Sequence, residues 1–135
     1  MSSPGRVLVD TNVIFDVLHG DANWSEWSRS RLETFAAGLV INPLIYAELC
    51  YQAESMAEVD EIVTAFGLEL VELPREALLL AAKAFRQYCE QGGIKTSPLA
   101  DFFIGAHAEV SGLPVLTRDV RRYRASFPSV ALISP

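Results

Sequence analysis

Short apolar runs alternate along the whole chain with longer segments whose apolar residues recur at helical spacing. Val7-Leu8-Val9 is such a run, ending at Asp10, the pattern of a parallel strand buried on both faces. Thr11 to Leu18 continues as a helix, and Gly20 breaks the connection after it. The spacing predicts a second helix over Trp24 to Ala37, with Trp24, Trp27, Leu32 and Phe35 among its apolar positions and Gly38 marking its end. Leu39-Val40-Ile41 is a second buried strand. Asn42-Pro43 reads as an N-cap followed by proline at the first helical position, opening a helix that runs to about Tyr51. Ser55 caps a helix from Met56 to Phe66, stopped by Gly67, and Leu68 to Leu73 is a third strand, interrupted by Glu69 and Glu72.

Pro74 opens the next helix, whose stripe is Leu78, Ala81, Ala82, Phe85 and Cys89, and Gly92-Gly93 stop it. Ser97-Pro98 repeats the cap-then-proline signal. Leu99, Phe102, Phe103, Ala106 and Val110 then share one helix face that ends at Ser111-Gly112. Val115-Leu116-Thr117 is a strand, Val120 to Ala125 a short helix, and Val130 to Ile133 a last strand. This alternation predicts one α/β domain over residues 1–135, a central parallel sheet with helices on both faces.

Composition narrows the classes. Half of the 135 residues are hydrophobic, which excludes a disordered chain. Cys50 and Cys89 are too few for a disulfide framework and are expected as reduced, buried thiols. No secretory signal pattern and no apolar run of membrane-spanning length is seen, so a cytoplasmic protein is expected. The net charge of −6 argues against a general nucleic-acid coat, but a site built of acidic metal ligands is itself a source of negative charge. From Thr117 to Arg124 the chain carries Arg118, Arg121, Arg122 and Arg124 against Asp119, a locally basic segment.

Four carboxylates stand out by position. Asp10 follows a buried strand directly, where ligand sites form in open α/β sheets, although it can equally cap the next helix. Glu48 lies inside the largely apolar Leu44 to Tyr51 helix, so it needs a partner: a metal, a proton or an arginine from elsewhere. Asp101 sits in a first helical turn with Ile104, Gly105 and Ala108 on its face, small neighbours that imply close approach of another element. Asp119 follows the fourth strand after one residue, Arg118. Converging carboxylates repel unless cations join them, and an all-oxygen donor set suits Mg²⁺ or Mn²⁺. His19 and His107 stand alone, as a loop and a helix-surface histidine, and no Cys/His spacing fits structural zinc.

Val9-Asp10-Thr11-Asn12-Val13-Ile14 resembles the opening motif of the PIN-domain family. Tyr46-Ala47-Glu48-Leu49, Leu99-Ala100-Asp101-Phe102-Phe103-Ile104-Gly105-Ala106 and Leu116-Thr117-Arg118-Asp119-Val120 are similar to its later acidic motifs, in the same order. The single-domain length resembles the VapC group, toxins of toxin–antitoxin pairs. The resemblance implies a PIN-like three-layer sandwich and a Mg²⁺- or Mn²⁺-dependent endoribonuclease, with Asp10, Glu48, Asp101 and Asp119 as catalytic metal ligands. Thr11, Asn12 and Thr117 match neighbouring polar positions. It also implies a homodimer and a VapB-type antitoxin, for which Phe15, Leu18, Trp24 and Trp27 are candidate contacts. Arg118, Arg121 and Arg122 are candidates to hold the RNA backbone. Asp10→Asn or Asp101→Asn is expected to abolish cleavage and leave the fold intact.

Three other readings compete: a stand-alone PIN nuclease that processes RNA, a haloacid-dehalogenase-type phosphatase, and a binding module without catalysis. The phosphatase chemistry needs a second aspartate two residues after the first, where this chain has Asn12.

Overall fold

The computed structural model describes residues 5–93 and 99–135, so the Ser97-Pro98 cap signal lies outside the described residues. In chain order the elements are β1 (Val7–Val9), α1 (Thr11–Leu18), α2 (Ser25–Thr34), β2 (Leu39–Ile41), α3 (Pro43–Tyr51) and α4 (Met56–Phe66). They continue as β3 (Glu69–Leu70), α5 (Arg75–Glu90), α6 (Leu99–Ser111), β4 (Val115–Leu116), α7 (Arg121–Arg124) and β5 (Leu132–Ile133). The strands form one parallel sheet in the order β3-β2-β1-β4-β5, flanked by helices. From β1 the chain first winds outward through β2 and β3, then returns to add β4 and β5 on the other side. The carboxyl ends of β1 and β4 therefore frame a topological switch point, where open α/β sheets place their ligands.

Local chemistry explains most boundaries. The Asn42 side chain accepts from the Ile45 N–H at 3.0 Å and caps α3, with Pro43 in its first turn. Ser55 caps α4 through the Glu58 N–H at 3.2 Å, and Gly67 ends that helix in the left-handed region. The main core is the sheet itself, with Val7, Leu8, Val9, Val40, Ile41, Val115 and Leu116 all buried. A second cluster joins α5 to α6 through Ala77, Ala81, Phe102, Ala106 and Phe127.

Several expectations are corrected. Helix α2 ends at Thr34, and Ala37 rather than Gly38 takes the left-handed conformation. Gly38 is instead needed because a Cβ there would strike the Gly5 carbonyl. On α5 the buried face is centred on Ala77 and Ala81, small residues that bring the two helices close, while Leu78 and Leu79 face outward. Helix α3 is not buried all round: Ile45 and Leu49 are buried, Leu44 and Tyr46 pack on the core only in part, and the rest of the helix is more open. Cys50 is accordingly exposed, and Cys89 half-buried. Trp27 packs on the core and Trp24 lies under the Arg118 guanidinium, 5.3 Å from ring centre to Cζ, and both rings stay partly exposed. The small face of α6 does meet another element: a Cβ at Gly105 would run into the Phe127 ring.

His107 is buried, not on a helix surface. Asn42 spends its oxygen on the α3 cap, so its amide N–H₂ faces His107 Nδ1, 3.1 Å away, and the ring must accept there. Burial holds the imidazole below its ordinary value. The unfolded chain then binds a proton near pH 6.5 that the folded chain refuses. The associated stability is complete above that pH and declines as pH falls toward the folded value. Urea unfolding at pH 7.5 and 5.5 checks this. His107→Gln, which cannot titrate, should lose less stability on acidification than the native chain, and equal losses would contradict the assignment.

Candidate active site

Asp10 leaves β1 at its carboxyl end and is wholly buried. Its backbone N–H donates to the Leu116 carbonyl, which ties it to β4, and its Oδ1 accepts from the Thr11 N–H at 2.8 Å, capping α1. Its Oδ2 accepts from Thr117 Oγ1 at 2.9 Å, Tyr123 Oη at 2.7 Å and Asn12 Nδ2 at 3.3 Å. Burying a charge is costly unless donors surround it, and here α1, α7 and Thr117 just after β4 all supply them. Burial and then the Asp10 charge push the Tyr123 phenol well above its ordinary value, so Tyr123 stays a donor.

The three supporting polar residues expected from the sequence all serve this carboxylate or its neighbours. Thr11 Oγ1 donates to Glu48 Oε1 at 3.1 Å. Asn12 accepts the Arg118 N–H at 3.0 Å through its oxygen, while its amide reaches Asp10 and Thr117. Thr117 Oγ1 also accepts the Asp119 N–H at 2.9 Å. These bonds fix the loop after β4 against the start of α1.

Glu48 from α3 and Asp101 from α6 converge on Asp10 through one guanidinium. Arg122, on α7, reaches inward with its side chain 13% exposed. Its Nη1 donates to Asp10 Oδ1, its Nη2 to Glu48 Oε2 at 2.8 Å, and its Nε to Asp101 Oδ1 at 2.6 Å. Burial alone would push this guanidinium down, but Asp10 and Asp101 outweigh it and hold it above its ordinary value. Three carboxylates against one guanidinium leave a formal excess of two negative charges.

The structure thus brings together Asp10, Glu48 and Asp101. Asp119 lies apart from the Arg122 network: it is exposed, at the rim, held by its backbone. Of the three arginines expected on the RNA backbone, Arg122 is inside the acidic cluster. Arg118 is clamped by Asp16, Nε to Oδ2 at 2.6 Å and Nη2 to Oδ1 at 2.8 Å, which spends its fork. Arg121 is exposed on α7, as is Arg124. A cleft of about 460 Å³ opens beside the cluster, with Thr11, Phe15, Glu48, Tyr51 and Gln52 among its walls.

Two residues of this arrangement escaped sequence reasoning. Asp16 is buried and also accepts from Ser28 Oγ at 2.6 Å, so it braces α1, α2 and the loop that carries Asp119. Its signal was a lone carboxylate between Phe15 and Val17. Tyr123 had one too, as the uncharged residue within Arg121-Arg122-Tyr123-Arg124.

By donor type and charge, the cluster fits a hard divalent cation: every side-chain acceptor is a carboxylate oxygen and two negative charges remain. As placed, no group of three His, Cys, Asp or Glu side chains among the described residues forms a metal-ligating set, and Arg122 bridges the three carboxylates.

The PIN domain family model matches residues 7–128 of this chain. No curated protein sequence matches it. Among solved structures, it resembles DNA-bound VapBC from Salmonella typhimurium, with TM-score 0.72 and 21% identity over 96% of this chain and 98% of that one. FitAcB from Neisseria gonorrhoeae gives TM-score 0.70 and 23% identity over 96% and 97%. VapBC2 from Rickettsia felis, bound to a DNA fragment from its promoter, gives 0.72 and 16% over 95% and 97%. At these identities the likeness concerns the fold, and it extends over nearly all of both chains. The match over residues 7–128, carried by a parallel sheet with Asp10 at its switch point, shows that the chain belongs to the PIN domain family.

Proposed function

We propose that this chain is a metal-dependent endoribonuclease and the toxin of a VapBC-type toxin–antitoxin pair. The observation that carries the nuclease reading is the convergence of Asp10, Glu48 and Asp101 on one cation-filled point at the switch of the sheet. Asp10, Glu48 and Asp101 would hold Mg²⁺ or Mn²⁺, with Asp119 at the rim as a fourth carboxylate. When bound, such an ion supplies Lewis acidity that activates water and neutralises phosphate charge. The chain's own part is preorganisation. Thr117, Tyr123 and the Thr11 N–H fix Asp10 in one orientation before any ligand arrives, and Asp16 with Arg118 holds the Asp119 loop. Arg121 and Arg124 offer exposed positive charge near the site for the RNA backbone. The cleft beside Glu48 gives room for an unpaired nucleotide, which fits single-stranded RNA.

The toxin reading is supported by the neighbours, which were solved as VapBC and FitAB assemblies, and by the single-domain coverage. It brings with it a VapB-type antitoxin and a homodimer. A cytoplasmic location accords with RNA as substrate. No helix among the described residues is long and apolar enough to cross a membrane.

RNA 5′ ends sequenced after brief induction test the activity. The expected products carry 5′ phosphates and 3′ hydroxyls, and cleavage by the purified chain stops in EDTA and resumes with added Mg²⁺. Cleavage that persists unchanged in EDTA would overturn the metal-dependent reading.

A further inference from the structure

Arg122 reaches the acidic cluster from outside it. The guanidinium belongs to a four-residue helix flanked by exposed Arg121 and Arg124, yet it bonds carboxylates from the end of β1, from α3 and from α6. The oxygens it uses decide what else can bind. Asp10 Oδ2 already accepts from Thr117, Tyr123 and Asn12, whereas Oδ1 accepts from Thr11 and Arg122, so Oδ1 is the oxygen of Asp10 with room for a cation once Arg122 leaves. Arg122 Nη1 holds that oxygen. It also holds Glu48 Oε2 and Asp101 Oδ1, the oxygens of those two groups that face it. A divalent ion taking these oxygens would therefore meet the guanidinium at close range, cation against cation.

We propose that Arg122 is an exchangeable internal counter-cation: its guanidinium and a divalent ion occupy the Asp10, Glu48 and Asp101 carboxylates in turn. The proposal rests on the metal site proposed above and adds to it what sets the affinity of that site. In the closed form the fork neutralises one of three charges and keeps the carboxylates gathered. The remaining excess of two negative charges favours exchange of a monovalent for a divalent occupant. Once displaced, the guanidinium stays tethered at the site's mouth on α7, where a phosphate would approach. A ligand that must first open its site binds with an apparent affinity lowered by the fraction of molecules that are open. If fewer than about one molecule in ten has Arg122 displaced, Mn²⁺ binding is weakened at least about tenfold.

The test is Mn²⁺ titration calorimetry on the full chain, comparing the native protein with Arg122→Met and Arg122→Lys. Methionine removes the cation and keeps much of the apolar stem. Lysine keeps a charge but loses the planar fork that spans three partners. Arg122→Met is expected to bind Mn²⁺ at least about tenfold more tightly, with Arg122→Lys between the two. Equal or weaker Mn²⁺ binding by Arg122→Met overturns the exchange and leaves the metal site standing. Absence of binding in all three proteins overturns the metal site as well. A second readout needs no variant. In the native chain, the Arg122 Nε–H resonance should shift saturably during Mg²⁺ titration, with the same midpoint as binding. A resonance that stays fixed while Mg²⁺ binds overturns the exchange.

Discussion

Asp101→Asn should reduce RNA cleavage by about 100-fold or more at saturating Mg²⁺ while leaving the thermal midpoint within a few degrees of the native chain. Removing a hydrogen-bond partner of a metal ligand already costs about 10–100-fold. Removing a ligand itself should cost no less. The fold should tolerate the change because Asp101 is about one-fifth exposed and its side chain bonds Arg122, which keeps Asp10 and Glu48. Asparagine also retains an oxygen for Arg122 Nε. The check is initial cleavage rate on a single-stranded RNA, with circular dichroism melts alongside. Near-native rates in a folded Asp101→Asn protein would remove Asp101 from the machinery.

Asp10 behaves differently, because its buried carboxylate is the hub of a hydrogen-bond network and its replacement should lower stability as well as activity. Asp10→Ala should cost about 3–5 kcal/mol, because it strands the largely buried Arg122, the buried Tyr123 hydroxyl and Thr117 at once. Asp10→Asn should cost less, about 2 kcal/mol, since one oxygen can still accept from Thr11 and Arg122. Its amide would then face Tyr123 and Thr117, whose hydroxyls can turn to accept, but also the fixed amide donor of Asn12. Urea unfolding reads the difference. With a slope of about 1–3 kcal/mol per molar urea, Asp10→Ala should move the midpoint down by at least about 1 M. A midpoint shift near zero would mean that Asp10 is not the hub of this network. For the same reason, lost activity in Asp10 variants has to be read beside their stability, whereas Asp101 reports on chemistry.

The frame of this fold was legible because it is written in local chemistry. Val7-Leu8-Val9, Leu39-Val40-Ile41, the Asn42-Pro43 cap and the Ser55 to Gly67 helix need only neighbours in sequence to be recognised, and each stands where expected. Asp10, Glu48 and Asp101 were legible for another reason: a carboxylate after a buried strand or among apolar residues demands a partner. What supplied that partner was not legible. The Arg122 bonds to Asp10 and Glu48 span 112 and 74 positions of sequence, and nothing in a basic helix says which arginine turns inward. His107 was misplaced because α6 is covered from Phe102 to Ala108, so helical periodicity could not separate its faces. Leu78 was expected inward beside Ala81 by hydrophobicity, but close packing at the α5–α6 contact favoured the small Ala77 with Ala81. Asp119 matched its motif and still stands at the rim, since a loop's register against the sheet depends on Asn12, Thr117 and Asp16 together.

Anomalous diffraction from crystals equilibrated with millimolar Mn²⁺ addresses the central claim most directly. The account predicts a manganese peak bonded to Asp10 Oδ1 and Asp101, within reach of Glu48, with the Arg122 guanidinium moved out. Strong manganese peaks confined to other surfaces, with Arg122 still bridging all three side chains, would contradict it.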